Sequence, residues 1–415
     1  MIKVFKFGGA SIKDVQGVKN IGEILTKYNA EQLVVVFSAM GKVTNMLEKV
    51  VDAYVQKSDD AFVALQEVKD FHENIINELF AKEHSIFNIV NNLFVEIEWV
   101  LEEEPNQDYA YDYDQIVSIG EFLSTRIMSA YLQLIGFNNT WQDARDLIRT
   151  DNAYRNAKVD WEITTAFVKN TIKDKHTITQ GFIGCTCENF TTTLGREGSD
   201  FSAAILAYCL DAKQVVIWKD VPGMMSADPK YFEDAKLLNA VSFDEAIELA
   251  FFGAKVIHPK TIQPLKKKNI SLQIKSFLAP DDRGSIITED AENNLEIPSF
   301  IIKENQILIS ISDENLAFIV ETHMSQIFSI LAKYSVGVNL MQNSAVSFSI
   351  CVDNDSHKIP QLIKDLKQFF NVMFNESLTL FTIRYYTDAS IMRLLQDKDV
   401  VLEQKSRNTI QLIAR

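Results

Sequence analysis

The stretch Ile2-Lys3-Val4-Phe5-Lys6-Phe7-Gly8-Gly9-Ala10-Ser11 decides the fold class. Ile2–Phe7 reads as a short buried strand, rich in β-branched and aromatic residues and closed by two glycines. A helix is predicted from about Val15 to Tyr28, and the apolar run Leu33–Phe37 reads as the next strand. Strand, glycine turn, helix, strand is the unit of a mostly parallel sheet covered on both faces. Ligands of such sheets sit at the carboxyl ends of the strands. Here that end presents Lys6 and the bare backbone of Gly8 and Gly9, a combination suited to an anion. The motif matches neither the P-loop nor GxGxxG. Taken alone, it is equally a tight turn with a snorkelling lysine.

The same grammar recurs downstream. Thr177–Thr179 and Val215–Trp218 read as strands, Glu121–Leu134 as a helix, and Ser202–Leu210 as an alanine-rich helix after a glycine loop. Residues from about Asp59 to Glu103 have helical period, broken near His84, with Glu102–Glu104 as a solvated face. Of the 15 glycines only Gly337 lies beyond residue 285. Glycine is needed where backbone takes positive φ or closely approaches a ligand, so residues 1–285 read as the catalytic part. The polar stretch 286–299, with Pro298, reads as a linker. Beyond it the pattern is strand Ile307–Ser312, helix Ser325–Tyr334, strands Val338–Asn343 and Val346–Val352, helix Ile359–Phe370 and strand Val372–Phe374. A second round runs through Leu378–Tyr386, a helix near Ser390–Gln396, and strands Val400–Lys405 and Thr409–Ala414. Two small βαββ-type units, over 300–376 and 377–415, are therefore predicted. The second lacks its final helix and strand. Such modules suit ligand-binding regulation or dimerisation.

Composition narrows the function. The chain has 415 residues, 47% hydrophobic and 23% charged, which is globular. Lys and Arg total 41 against 56 Asp and Glu, a net charge of -15. A nucleic-acid binder or a membrane-surface protein would carry the opposite balance. Cys185, Cys187, Cys209 and Cys351 are too few and scattered for a disulfide framework, and the histidines form no metal site. No apolar stretch long enough to span a membrane occurs, so a cytoplasmic, soluble protein is expected.

Five further segments carry chemistry. In Thr193-Leu194-Gly195-Arg196-Glu197-Gly198-Ser199-Asp200 two glycines flank an arginine, the residue suited to bidentate capture of a carboxylate or phosphate. Ser199 and Asp200 also fit helix capping. In Trp218-Lys219-Asp220-Val221-Pro222-Gly223-Met224-Met225-Ser226-Ala227-Asp228-Pro229-Lys230 a strand ends in an acid, although turn chemistry alone explains Pro222, Gly223, Asp228 and Pro229. Gly253-Ala254-Lys255-Val256-Ile257-His258-Pro259 offers Lys255, while His258 reads as a structural hydrogen-bonding residue. Ser38–Asn45 follows the second strand, and Gly120-Glu121 opens a helix, where Glu121 also fits as a first-turn acid. Together these give Lys6, Lys230 and Lys255 for phosphates, Arg196 for a carboxylate, and Glu121 and Asp200 as acids. No Ser-His-Asp or Cys-His arrangement is evident. Phosphoryl transfer needs none when the substrate brings its own oxygen.

These motifs, in this order, resemble the aspartate kinase family. The resemblance implies an amino acid kinase fold, an α/β/α sandwich with a mostly parallel sheet, followed by tandem ACT-like units. It implies a monofunctional enzyme that uses ATP, with Mg²⁺ on the phosphates, to phosphorylate the β-carboxylate of L-aspartate, and a homodimer formed through the ACT-like module. Residue by residue, Lys6 would lie against the transferring phosphoryl group and Asp200 would orient it. Ser38 and Thr44 would line the aspartate site, Glu121 would hold the amino group, and Arg196 the α-carboxylate. Gly198 and Ser199 would offer backbone contacts. Gly8, Gly9, Ser11, Lys219, Asp220, Met225, Lys230 and Lys255 would contact the nucleotide. Departures are Ala10 for Thr or Ser, Glu197 for glycine, Lys219 for threonine, Met225 for tyrosine and Lys230 for arginine. The family's first ACT unit commonly grips an amino-acid effector with a glycine-containing loop. The corresponding stretch, Glu321–Gln326, has no glycine, so weak or absent inhibition by lysine or threonine is expected. Other readings are a glutamate or acetylglutamate kinase, or an inactive amino-acid sensor.

Overall fold

Buried apolar strands alternate with helices through the first part of the chain, and the strand period sorts their side chains to opposite faces of one sheet. The computed structural model describes every residue except Gln107, Lys255, 292–296, 314–317 and 396–397. Two compact units emerge. One comprises Met1–Met224, Leu237–Ile247 and Lys255–Asn293, and the other Met225–Lys236, Glu248–Ala254 and Asn294–Arg415.

In the first unit the strands are β1 (Ile2–Phe7), β2 (Gln32–Phe37), β3 (Thr140–Gln142), β4 (His176–Gln180), β5 (Ile183–Cys185), β6 (Thr191–Thr193), β7 (Gln214–Lys219), β8 (Ala240–Val241), β9 (Ser271–Ser276) and β10 (Ser285–Ile287). Eight of them form a sheet in the order β3-β4-β2-β1-β7-β9-β10-β8. All pairs from β3 to β9 are parallel, and β10 adds antiparallel to β9. β5 and β6 pair separately as an antiparallel ribbon.

The helices are α1 (Val15–Lys27), α2 (Val43–Val55), α3 (Asp60–Leu79), α4 (Ile86–Glu102), α5 (Tyr109–Val117), α6 (Ile119–Leu134), α7 (Trp161–Thr171), α8 (Gly198–Cys209), α9 (Phe243–Phe252) and α10 (Pro259–Lys267). Phe5, Phe7 and Trp218 point to one face, into a core with Val18, Ile21 and Leu25 of α1. The Phe7 and Trp218 rings stack at 5.6 Å. Each such fully buried ring contributes roughly 2–3 kcal/mol. Alternation turns Lys6 to the opposite face, where α8 packs on β1, β2 and β7. The expected α/β/α arrangement is therefore present. The helical stretch ending near residue 103 is α3 and α4, parted around His84 as expected.

The second unit contains β11 (Ser299–Ser312), α11 (Glu321–Lys333), β12 (Val338–Asn343), β13 (Ser347–Asp353), α12 (Ile359–Leu366), β14 (Asn371–Arg384), α13 (Asp388–Leu395), β15 (Val400–Lys405) and β16 (Thr409–Ala414). They build one antiparallel sheet, β12-β13-β11-β14-β16-β15. The two ACT-like rounds share it. β11 and β14 run through both halves, with register shifts between Lys303 and Leu308 where Asn305 takes φ 52°. Ser299–Lys303, which begins at the last residue of the expected linker, pairs with Leu380–Arg384.

One expectation fails here. Glu321–Gln326 is not a loop but the first turns of α11. His323 Nδ1 accepts the Val320 N–H at 3.3 Å and closes the helix start. A glycine missing from Glu321–Gln326 therefore says nothing about inhibition by lysine or threonine. Among the described residues, no helix is long and apolar enough to cross a membrane.

Candidate active site

β2 lies on one side of β1 and β7 on the other, so the chain changes direction across the sheet at the carboxyl end of β1. Such a switch point opens a crevice for a ligand. Lys6 reaches it from β1 and Lys219 from the last position of β7. Both meet Asp200, the third residue of α8. Lys6 Nζ lies 2.6 Å from Asp200 Oδ1, and Lys219 Nζ lies 3.2 Å from Oδ2. Asp200 is only 2% exposed and Lys6 8%. Burial pushes the Asp200 carboxyl up, but the charges and hydrogen bonds of Lys6 and Lys219 together outweigh it and hold the group below the usual carboxylate range. Two ammonium groups on one carboxylate leave an excess positive charge at the crevice.

The two glycines after Lys6 have different reasons. A Cβ on Gly9 would stand 2.6 Å from the Ala39 carbonyl oxygen, so only glycine lets the loop after β2 close on this turn. A Cβ on Gly8 would meet Lys6 Nζ at 3.3 Å. Ser11 commits its hydroxyl proton to the Gly8 carbonyl at 2.6 Å, a turn-forming role. The helix after this turn has its own side-chain cap. Asp14 caps α1, accepting the Gly17 N–H at 2.8 Å. The Gly8–Gly9 turn remains as the available backbone.

Beyond the loop, Ser38 donates its N–H to the Phe7 carbonyl at 3.1 Å and Thr44 sits in the first turn of α2, both partly buried. Glu121, in the first turn of α6, is 2% exposed. Its Oε1 accepts the Ala39 N–H at 3.4 Å, and Oε2 has no partner among the described residues. Burial pushes its carboxyl up to about 8, against the pull of the Ala39 N–H and the Lys6 charge.

The glycine-flanked arginine lies between β6 and α8. Gly195 has φ 77° and Glu197 φ 53°, both left-handed. Glu197 thus occupies a conformation that favours glycine. Arg196 is exposed, while Gly198 and Ser199 are buried at the start of α8. A Cβ on Gly198 would approach Phe182 Cδ2 to 2.6 Å.

Two residues that sequence reasoning missed fix this loop. Lys260 Nζ donates to the Leu194 carbonyl at 2.9 Å. Asp114 accepts from Thr193 N and Thr193 Oγ1, each at 2.7 Å, and from Arg155 N at 3.0 Å. Burial pushes the Asp114 carboxyl up to about 6, against these bonds. Lys260 lies just past the Gly253–Pro259 motif, whereas Asp114 carries no local signal. His258 has the structural role expected, accepting the Lys260 N–H at 3.1 Å and capping α10.

The structure therefore brings Lys6, Lys219 and Asp200 together and sets Glu121 against the neighbouring loop. Asp220 is exposed beyond β7. Met225 and the exposed Lys230 belong to the second unit, and Lys255 lies outside the described residues. Among the described residues no group of three His, Cys, Asp or Glu side chains is placed to hold a metal ion.

Residues 1–276 match the model of the amino acid kinase family. The chain is 29% identical over 393 residues to lysine-sensitive aspartokinase 3 of Escherichia coli (strain K12), covering 92% of this chain and 86% of that protein. It is 31% identical over 363 residues to aspartokinase 1, chloroplastic, of Arabidopsis thaliana, covering 84% of this chain and 63% of that protein. The chain thus spans most of the bacterial relative and less than two thirds of the plant one. The crystal structure of E. coli aspartokinase III in complex with aspartate and ADP (R-state) aligns with a TM-score of 0.85 at 26% identity, over 100% of this chain and 96% of that one.

Proposed function

The chain belongs to the amino acid kinase family, and on that premise we propose that it is an aspartate kinase, transferring the γ-phosphoryl group of ATP to the β-carboxylate of L-aspartate. A carboxylate oxygen attacks the γ-phosphorus while the bond to the β-phosphate oxygen breaks. The products are 4-phospho-L-aspartate and ADP, and no proton need be removed from the nucleophile. The observation that carries the reading is Asp200 held between Lys6 and Lys219. With Asp200 fixing both ammonium groups at the switch point, their charge is preorganised for the transferring phosphoryl group.

In this reading Arg196 takes the substrate's α-carboxylate, and Glu121 takes its ammonium group. That ammonium would supply the positive partner that the buried Glu121 carboxyl lacks. Ser38 and Thr44 line the same pocket, and Gly198 and Ser199 border it. By resemblance to the family, Asp220, Met225, Lys230 and Lys255 would take the nucleotide, and Gly8 and Gly9 its phosphates. Magnesium bound to the ATP phosphates would neutralise part of their charge and would need few protein ligands. The protein acts as a homodimer through its C-terminal sheet.

An ADP-release assay with aspartate, glutamate and no acceptor tests this reading. Aspartate-dependent release supports it. Release with glutamate instead would assign a different acceptor, and no release with either would mark an inactive sensor.

A further inference from the structure

The first turn of α6 buries Glu121 among polar groups that are committed elsewhere. The Ser124 and Thr125 hydroxyls donate to its backbone carbonyl, at 3.1 and 2.8 Å, and not to its carboxyl. Gln180 of β4 and Trp141 of β3 reach α6 but donate to Thr125 Oγ1, at 2.8 and 3.0 Å. The loop after β2 offers the carboxyl one donor, the Ala39 N–H, 3.4 Å from Oε1. Oε2 is buried and has no partner among the described residues. Packing at the neighbouring position is apolar and tight. A Cβ on Gly120 would stand 3.1 Å from Ala39 Cβ and from Leu47 Cδ1, and 3.2 Å from Val43 Cγ1.

Two titratable groups face this carboxyl among the described residues. Lys6, from β1, pulls it towards ionisation, but the Lys6 ammonium lies 2.6 Å from Asp200. Tyr113, from α5, donates its hydroxyl to Glu48 of α2 at 2.8 Å, and burial pushes that phenol up, so it stays neutral. A buried carboxyl with one long hydrogen bond keeps its proton until a cation meets it. Burial accordingly pushes Glu121 up to about 8. An ammonium group placed against Oε2 by a ligand reverses the balance, because charge-assisted hydrogen bonds favour the ionised form.

We propose that Glu121 is a proton-linked specificity residue for the acceptor substrate. In the empty crevice it is a carboxylic acid. When the ammonium of aspartate lies against Oε2, the carboxyl O–H bond breaks, the carboxylate pairs with the ammonium, and the proton leaves to the buffer. The inference rests on the aspartate kinase reading. A dicarboxylate without an amine has nothing to displace the proton, so the site selects for the amino group. The same exchange makes aspartate affinity rise with pH. Below the free-state value, each unit of pH weakens binding by up to about tenfold, since the proton must first be removed.

Titration calorimetry of the full chain with L-aspartate, ADP present, in buffers of different ionisation enthalpy tests this. At about pH 6.5 the buffer dependence should report release of about one proton per aspartate bound. Succinate, the same dicarboxylate without the amine, should show weak binding and no release. Glu121→Gln keeps the shape of the neutral acid. At about pH 8 it should bind aspartate roughly tenfold more weakly, as for a lost charged hydrogen bond, with no proton release. Should binding be too weak for calorimetry, the aspartate KM carries the same test. In the wild type it should fall towards about pH 8 without the ATP KM following, and in Glu121→Gln the trend should vanish. Aspartate binding without proton release, a release undiminished in Glu121→Gln, equal release with succinate, or an aspartate KM with the same pH trend in both proteins overturns the proposal. A wild-type protein that neither binds nor phosphorylates aspartate fails the underlying reading instead, and takes this proposal with it.

Discussion

Asp200 is a buried carboxylate whose burial cost is offset by two ammonium groups on adjacent strand ends. Removing either lysine leaves a less compensated buried charge, which is why the trio behaves as a unit. Glu121 is the opposite case, a buried carboxyl with one weak donor and a pKa near 8. Its sign follows directly. Unfolded, the group loses its proton near the ordinary glutamate value, while the folded protein keeps it until about 8. The stabilising difference is complete below the unfolded value and is lost as pH rises through the folded one. The melting temperature of the wild type should therefore fall relative to Glu121→Gln as pH rises from about 5 to 8, then run parallel above. Thermal melts of both proteins across that range check this, and a constant gap would contradict it. Glu197 illustrates strain at the same scale, holding a left-handed backbone beside the exposed Arg196.

Elements bring these residues together, and the β6–α8 loop shows how. Its carbonyl at Leu194 is pinned by Lys260 from α10, and Thr193 by Asp114 from α5. Lys260→Met should loosen Arg196 without touching the phosphoryl site. The aspartate KM should then rise several-fold, as for a lost hydrogen bond of about 1 kcal/mol, and kcat should change less. An unchanged aspartate KM in a folded variant would detach Lys260 from the loop's function. The parallel strands and the glycine turns were legible because period and composition are local signals. Lys6, Asp200 and Glu121 stood out for the same reason, each beside a glycine or at a helix start. The pairing of Lys219 with Asp200 was not legible, since it depends on the neighbouring of β1 and β7. Nor was Asp114, whose partners stand 41 and 79 positions away. The continuous β11 and β14 were hidden by Asn305 and Ser377, left-handed residues that read as turns. The start of α11 was misplaced because Glu321–Gln326 has no conventional capping residue before it.

At the scale of the molecule, a kinase unit and a C-terminal sheet are interleaved in sequence, since Met225–Lys236 and Glu248–Ala254 belong to the second unit. β12 and β15 form the edges of that sheet. Met341 on β12 is 53% exposed and Met373 on β14 66%. An unprotected strand edge beside exposed apolar side chains invites pairing with another copy. Light scattering should therefore give twice the 47.2 kDa chain mass, and Met341→Lys on the β12 edge should favour the monomer. A wild-type monomer would contradict the dimer. The Lys6–Asp200–Lys219 site is expected to make an acyl phosphate on aspartate. The most direct measurement is hydroxylamine trapping of that product with ATP and L-aspartate, for the wild type and a folded Lys6→Ala variant. The expected result is aspartyl hydroxamate formed by the wild type and a rate lower by roughly 10²–10³ in the variant, as for loss of one preorganised charge. No hydroxamate from the wild type, or equal rates from both proteins, would contradict it.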